Sequence, residues 1–178
     1  MKKFILLAIA AAFANLAPAQ TKHKVTASTI TFKIKNMGIN TGGNISGLVA
    51  DINFSKDRPE ASSIEASVDA GTLNTDNDMR DKHIKSEDYF DAAKYPKITM
   101  KSTSIKHRSG NNFVGTFNVT IKDKTKSIDV PFTYVVNGNT AEFKGSLKIQ
   151  RTDFGIGSSG LVLANEATID IDVQTTPS

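Results

Sequence analysis

The chain contains no cysteine. This absence excludes disulfide bonds, thiolate metal sites, cysteine nucleophiles and lipid attachment through an N-terminal cysteine. The chain also lacks a basic block with interleaved aromatic residues, so we expect no nucleic-acid partner. Its 22 basic and 18 acidic residues are mixed along the sequence. After the first nineteen residues no long apolar run occurs, so we expect a soluble mature protein without stable membrane insertion.

The first nineteen residues have the composition of a secretory signal peptide. Lys2 and Lys3 precede an apolar run, Phe4–Leu16, and Ala17-Pro18-Ala19 resembles a cleavage signal. We predict that residues 1–19 are removed after Ala19 and that residues 20–178 form a single domain. The remaining length is sufficient for one core that buries most of the apolar surface. A cleaved signal peptide predicts a periplasmic or secreted protein.

Most of the remaining chain alternates between apolar and polar residues, which is typical of half-buried β-strands. Ile45 is out of phase with the segment that follows, which predicts a bulge near Gly47. Short turns between long alternating segments favour antiparallel hairpins, and eight strands can close into a barrel without exposed edges. A sandwich is the main alternative. The eight predicted strands lie around residues 28–35, 48–54, 63–69, 98–100, 112–122, 127–136, 140–150 and 166–173.

The inward phase of these strands mixes large residues with very small ones. The run Thr125–Val136 would extend roughly 40 Å at about 3.3 Å per residue, so the barrel has a long interior. Small inward residues leave space beside the large ones, which favours an elongated apolar cavity. The alternative is that bulky neighbouring side chains fill this space. The small residues on this phase are Ala50, Ala66, Gly115, Ala141 and Gly145.

One segment, residues 75–91, does not alternate and contains six acidic residues. Thr75 and Asp78 match a helix-capping pattern, so we predict a short helical insertion near residues 76–93 over the barrel mouth. The segment begins like a calcium loop but lacks the turn glycine, and the three histidines of the chain are far apart. No nucleophile motif accompanies His83 and Asp81. We therefore predict no metal site and no catalytic residue.

A second distinctive stretch, IQRTDFGIGSSG, covers residues 149–160. Arg151 and Asp153 follow the phase of Ile149, which predicts an inward ion pair at the strand end. The functional alternative is that Arg151 meets a polar or anionic head group of a ligand. The two glycines of this stretch do not follow the strand-to-helix pattern of a nucleotide site.

Four stretches in order, with Gly43 between the first two, resemble the YceI-like family of exported bacterial proteins: FKIKNMGI, DMRDKHIKSEDYFDAAKYPKITMKST, FVGTFNVTIKDKTKSIDVPF and QRTDFGIG. The resemblance spans about residues 24–173. It implies an all-β, lipocalin-like, extended eight-stranded antiparallel β-barrel with a helical segment. It also implies that the barrel binds a long apolar ligand, such as a polyisoprenoid, an isoprenoid quinone or a fatty amide, with no other cofactor. Asn36 stands where the family often has histidine, and Ile45 where it often has an aromatic residue.

We therefore predict an exported carrier of a single-chain lipid, not an enzyme. A protein-interaction module with a packed barrel, or a hydrolase using His83, are the alternatives, and a homodimer is compatible with the architecture. The predicted ligand-binding residues are Phe32, Ile34, Asn36, Leu48, Ile52, Phe54, Ile64, Val68, Met100, Phe117, Val119, Phe132, Tyr134, Phe143, Leu147 and Arg151.

Overall fold

A computed structural model describes residues 20–178, and the predicted signal peptide lies outside these residues. The described chain contains nine strand segments and one short α-helix, α1, at Asp78–Ile84. The strands are β1 (Thr21–Asn36), β2 (Ile39–Ile45), β3 (Val49–Phe54), β4 (Ser63–Asp69), β5 (Lys97–Ser109), β6 (Asn112–Ile121), β7 (Lys124–Asn137), β8 (Thr140–Gln150) and β9 (Leu163–Pro177).

The nine segments form a closed antiparallel barrel with eight strand positions around its circumference. Strand β9 pairs with β1 and closes the sheet. On its other edge, β1 pairs with β2 through residues 30–36 and with β3 through residues 21–23. Segments β2 and β3 therefore occupy one position, one above the other. The predicted eight-stranded antiparallel barrel is confirmed, and the sandwich is excluded.

The chain breaks between β2 and β3, where the sequence predicts only a bulge. Gly47 has φ +74°, a left-handed conformation that interrupts the strand. The carbonyl of Ser46 accepts a hydrogen bond from the Asp69 amide at 3.3 Å, and the Ser46 amide donates to the Thr72 hydroxyl at 2.9 Å. At the break, Ser46 therefore hydrogen-bonds to the end of β4 and to the turn that follows it, and not to β1.

Strand β1 begins at Thr21, seven residues before the predicted start. The difference arises because a histidine occupies an inward position in this stretch, so the apolar–polar alternation is not visible in the sequence. His23 is buried and its Nδ1 lies 3.1 Å from the hydroxyl of Thr175 on β9. Lysines and threonines surround it in sequence, so this stretch reads as a polar linker. The pairing of β1 with β9 extends from His23 to Asn36 and defines the full height of the barrel.

Aromatic rings close the end of the barrel at which β1 begins. The ring of Phe54 is central and is buried, with centroids of four other rings 4.8–5.9 Å away. Most of these pairs meet edge to face or tilted, which is the favoured geometry for aromatic contacts. We call this cluster the aromatic plug; its members are His23, Phe54, Phe113, Phe132, Tyr134 and Phe143.

The segment between β4 and β5 forms a lid, residues 75–96, over the opposite end. Asn77, not Thr75, caps α1, since its side-chain oxygen accepts from the Arg80 amide at 2.9 Å. Thr75 instead donates its hydroxyl to the carboxylate of Asp81. The predicted helical insertion is therefore confirmed, but its capping residue was wrong. After α1 the chain continues in turns through Tyr95.

Candidate ligand-binding cavity

An elongated cavity of about 700 Å³ occupies the barrel between the aromatic plug and the lid. Its floor is formed by Ile52, Phe132 and Phe143, and its mouth lies beside Asn36 and Val162. The side chains between floor and mouth are mainly aliphatic. A cavity of this size is within the range of small-molecule sites, and its lining matches an apolar ligand.

Fourteen of the sixteen predicted ligand-binding residues lie on the cavity wall. Phe54 and Tyr134 do not line it, because their rings pack in the aromatic plug below the floor. Burial also raises the pKa of the Tyr134 phenol. Contact with a ligand stays a prediction for all sixteen. The residues on the wall are Phe32, Ile34, Asn36, Leu48, Ile52, Ile64, Val68, Met100, Phe117, Val119, Phe132, Phe143, Leu147 and Arg151.

The small inward residues divide into two groups. Ala50, Ala66 and Gly145 line the cavity and leave it wide. Gly115 does not, because the ring of Phe117 folds back over it; a Cβ at this position would stand only 2.4 Å from that ring. Ala141 is buried at the aromatic plug. The packed-interior interpretation therefore holds for the lower barrel only.

Several wall residues were absent from the predicted set. Ile169 and Ile171 of β9 share the alternation of the other strands, so this signal was sufficient to find them. Met79, Ile84, Tyr89 and Phe90 are apolar residues of the lid, the helical insertion that the sequence places over the barrel mouth. Val162 lies in a glycine-rich loop, and Leu163 begins β9 directly after it. Neither residue belongs to an alternating segment of the sequence, so neither was predicted to face the cavity. Their place on the wall depends on how that loop folds.

Arg151 does not form the predicted ion pair with Asp153. Residues 151–154 form a 3₁₀ turn, so strand phase no longer applies, and Asp153 points into solvent. Arg151 is 4% exposed, and its guanidinium donates to the carbonyls of Ala164, Ile156, Ser158 and Leu163 at 2.7–3.1 Å. Arg151 thus holds the loop of residues 155–165 against the cavity mouth.

Asn36 is the polar residue of β1 at the cavity mouth. It pairs with Ile39 of β2 and with Leu163 of β9. Its side-chain oxygen is buried and has no hydrogen-bond partner within the described part of the chain. A buried amide oxygen without a partner is unfavourable, and it leaves Asn36 with an open hydrogen-bond acceptor at the mouth.

The lid contains no arrangement that would favour catalysis. The ring of His83 packs on Tyr89 with centroids 4.6 Å apart. Asp81 accepts from the hydroxyl and amide of Thr75, and the hydroxyl bond is the main reason that the pKa of Asp81 is lowered. Asp81 is therefore occupied and does not orient His83. Across residues 20–178 we find no group of three or more histidine or acidic side chains placed to hold a metal ion.

No helix among the described residues is long and apolar enough to cross a membrane.

Comparison with known proteins identifies the family. The model of the YceI-like domain matches residues 22–175. A UPF0312 protein from Pseudomonas syringae pv. syringae is 30% identical over 152 residues, covering 82% of this chain and 78% of the relative. A UPF0312 protein from Azotobacter vinelandii is 27% identical over 152 residues, covering 82% and 79%.

Solved structures share the barrel. BcnA from Burkholderia cenocepacia superimposes with a TM-score of 0.80 at 28% identity, over 84% of this chain and 96% of that one. A polyisoprenoid-binding domain from Saccharophagus degradans superimposes with a TM-score of 0.68 at 14% identity, over 90% and 99%, which shows a common fold. The sequence match over nearly the whole described chain and the closed barrel lead to one conclusion: the protein belongs to the YceI-like family.

Proposed function

We propose that this protein binds a long single-chain apolar ligand in the cavity and carries or sequesters it without chemical turnover. The observation that carries the proposal is the elongated cavity of about 700 Å³ between plug and lid. Polyisoprenoids, isoprenoid quinones and fatty amides have the length and apolar character that such a space accommodates. The bound lipid would be the only cofactor-like molecule.

Burial of the chain supplies the binding free energy. Each buried methylene contributes about 0.8 kcal/mol, so ten of them contribute about 8 kcal/mol. That free energy corresponds to a dissociation constant near 1 μM, before the loss of translational freedom is subtracted. A longer chain would bind more tightly until the cavity is filled. The aromatic plug sets the depth that a chain can reach.

The relatives support this proposal. The Saccharophagus degradans neighbour is described as a polyisoprenoid-binding domain, and it shares this barrel. Export to the periplasm or the medium, after removal of residues 1–19, is part of the same proposal. In that location a carrier would keep a poorly soluble lipid out of water.

A pair of variants on β8 tests the cavity. Gly145 lines the cavity, and a Cβ added there would meet its neighbours at ordinary contact distances of 3.4 Å. In Gly145→Leu the side chain would enter the cavity, so we expect at least a ten-fold loss of affinity for geranylgeraniol or erucamide. Ser146→Leu, one residue along and on the exposed outer face, is the matched control.

Binding is measured by isothermal titration or native mass spectrometry, and folding by circular dichroism. Retained binding by the control with loss in Gly145→Leu supports the proposal. Equal binding by both folded variants, or no binding of either lipid by the unmodified protein, contradicts it.

A further inference from the structure

Exposed apolar side chains are concentrated around the cavity mouth. Of seven large hydrophobic residues exposed among the described residues, five are in the β1–β2 turn, at the start of β2, in the loop before β9, or in α1. Leu161 is fully exposed, and the others are 58–81% exposed. We call these five the apolar rim: Met37, Ile39, Met79, Leu161 and Val162. Scattered exposed hydrophobics need no explanation, but a cluster at one opening indicates an interaction surface.

The apolar rim is continuous with the cavity wall. Val162 and Met79 line the cavity and are also exposed outside it. Ile39 pairs directly with the wall residue Asn36, so both side chains lie on the same face of the sheet. The Met37 amide donates to the Val162 carbonyl at 2.7 Å, which joins the β1–β2 turn to the loop. An apolar path thus leads from the cavity to the outer surface.

The unpaired charge beside this part of the mouth is positive, because Glu166 of β9, the nearby acidic residue, is paired with Lys148 at 2.8 Å. Between residues 27 and 50 the only charged residues are Lys33 and Lys35, and residues 154–165 carry no charge. Lys33 meets Asp170 at 3.5 Å, whereas Lys35 is exposed and forms no ion pair with the described residues. The acidic residues of the lid lie on the side of the mouth where Asn44 of β2 and Gly157 hydrogen-bond to Asn74 and Asp88. Met79 of α1 belongs to this acidic side, so it is not part of the docking surface proposed below.

We propose that the β1–β2 turn and the loop of residues 158–162 dock on the surface of an anionic lipid bilayer. Exposed apolar side chains beside lysines are the usual means of shallow, reversible attachment to such a surface. The cavity mouth then opens toward the bilayer, so a lipid passes between membrane and barrel without crossing water. This transfer role rests on the proposed lipid-binding function, whereas the docking itself does not.

A second copy of the chain fits this surface less well. A two-fold interface centred on the turn would use the same patch on both copies, so it would bury two Lys35 side chains and supply no acidic partner from this patch. Like charges that face each other across an interface oppose association. An anionic head group in the same place is attracted instead.

Flotation with lipid vesicles tests the docking surface. The vesicles contain phosphatidylcholine alone or phosphatidylcholine with phosphatidylglycerol. We expect the mature protein to float with the anionic vesicles. The double variant Ile39→Asp, Leu161→Asp should bind these vesicles at least ten-fold more weakly. Lys35→Glu should bind them about five-fold more weakly, mostly at low salt. Val136→Asp is the control, since Val136 is also more than half exposed but lies at the opposite end of the barrel.

A second readout separates docking from ligand binding. Geranylgeraniol is offered either from ethanol or from anionic donor vesicles. The double variant should bind it normally from ethanol and at least ten-fold more slowly from vesicles. Normal binding from ethanol with no flotation of the unmodified protein, or flotation that the double variant leaves unchanged, overturns the docking proposal alone. A dimer in solution that the double variant dissociates, with no flotation, assigns the rim to self-association and also overturns it.

Flotation that depends on the rim, with no lipid taken up by either route, retains the docking and refutes the proposed function.

Discussion

The two ends of this barrel are built from the same strands and differ in what fills them. At the lower end, His23 and Phe54 meet aromatic rings from β6, β7 and β8, and no space remains. At the upper end the strands carry aliphatic and small residues, and a loop and a lid replace the plug. The lower end therefore stabilises the fold, and the upper end leaves a space that a ligand can occupy. Variants at each end can test this division.

Phe54→Ala should give the largest loss of stability. Phe54 is 1% exposed and contacts four rings, so the truncation leaves a void in a packed region. We expect a loss of about 3–5 kcal/mol in the free energy of unfolding. Met100→Ala on the cavity wall should cost less than half as much, since its neighbours already border open space. Urea unfolding of both variants measures the difference, and equal losses would contradict the division.

Arg151→Met should have the next largest effect, concentrated at the mouth. The variant leaves four loop carbonyls without their donor, and each buried unsatisfied group costs about 1–3 kcal/mol. The loop can partly recover by exposure to water, so we expect a net loss of about 2–4 kcal/mol. Hydrogen exchange should increase at residues 155–165 and stay unchanged in the plug. A uniform increase in hydrogen exchange throughout the barrel would show instead that Arg151 supports the whole fold.

The two inward glycines should respond differently to leucine. Gly115→Leu must displace the ring of Phe117, which already occupies the space above the glycine. Overpacking of this kind costs about 1–3 kcal/mol. Gly145→Leu should lose less than 1 kcal/mol of stability while it reduces ligand affinity. Thermal unfolding of both variants without ligand measures the difference. A larger loss of stability in Gly145→Leu than in Gly115→Leu would mean that the open space does not lie beside Gly145.

The smallest effect should be a pH dependence from His23. Burial is the main reason that the pKa of His23 lies below its ordinary value of 6.5. The folded protein therefore binds fewer protons than the unfolded chain below that pH, so stability declines as the pH falls from about 6.5 toward the lowered pKa.

Replacement of His23 by glutamine should flatten this dependence between pH 5 and 7, the range in which histidine ordinarily titrates. His83→Gln, in the lid, is the control and should retain it. A slope that persists in His23→Gln would assign the pH dependence to another group.

The alternation of apolar and polar residues predicted the barrel and most of the cavity wall, because it shows which side chains of a strand face inward. It does not determine height along the axis or how rings pack. Phe54 and Tyr134 have the same phase as Ile52 and Phe132, yet only the latter pair reach the cavity. Arg151 was misplaced for a related reason, since its strand ends in a turn that alternation does not reveal. The polar start of β1 was missed because a buried histidine resembles a surface residue in sequence.

Native mass spectrometry of the mature protein purified from its own host tests the central claim most directly. We expect a stoichiometric adduct that is released by organic extraction and identified as an isoprenoid or another long-chain lipid. Gly145→Leu purified in the same way should carry less of it, and Ser146→Leu should carry the normal amount. A protein that is isolated without an adduct and takes up no added isoprenoid quinone or fatty amide would contradict the account.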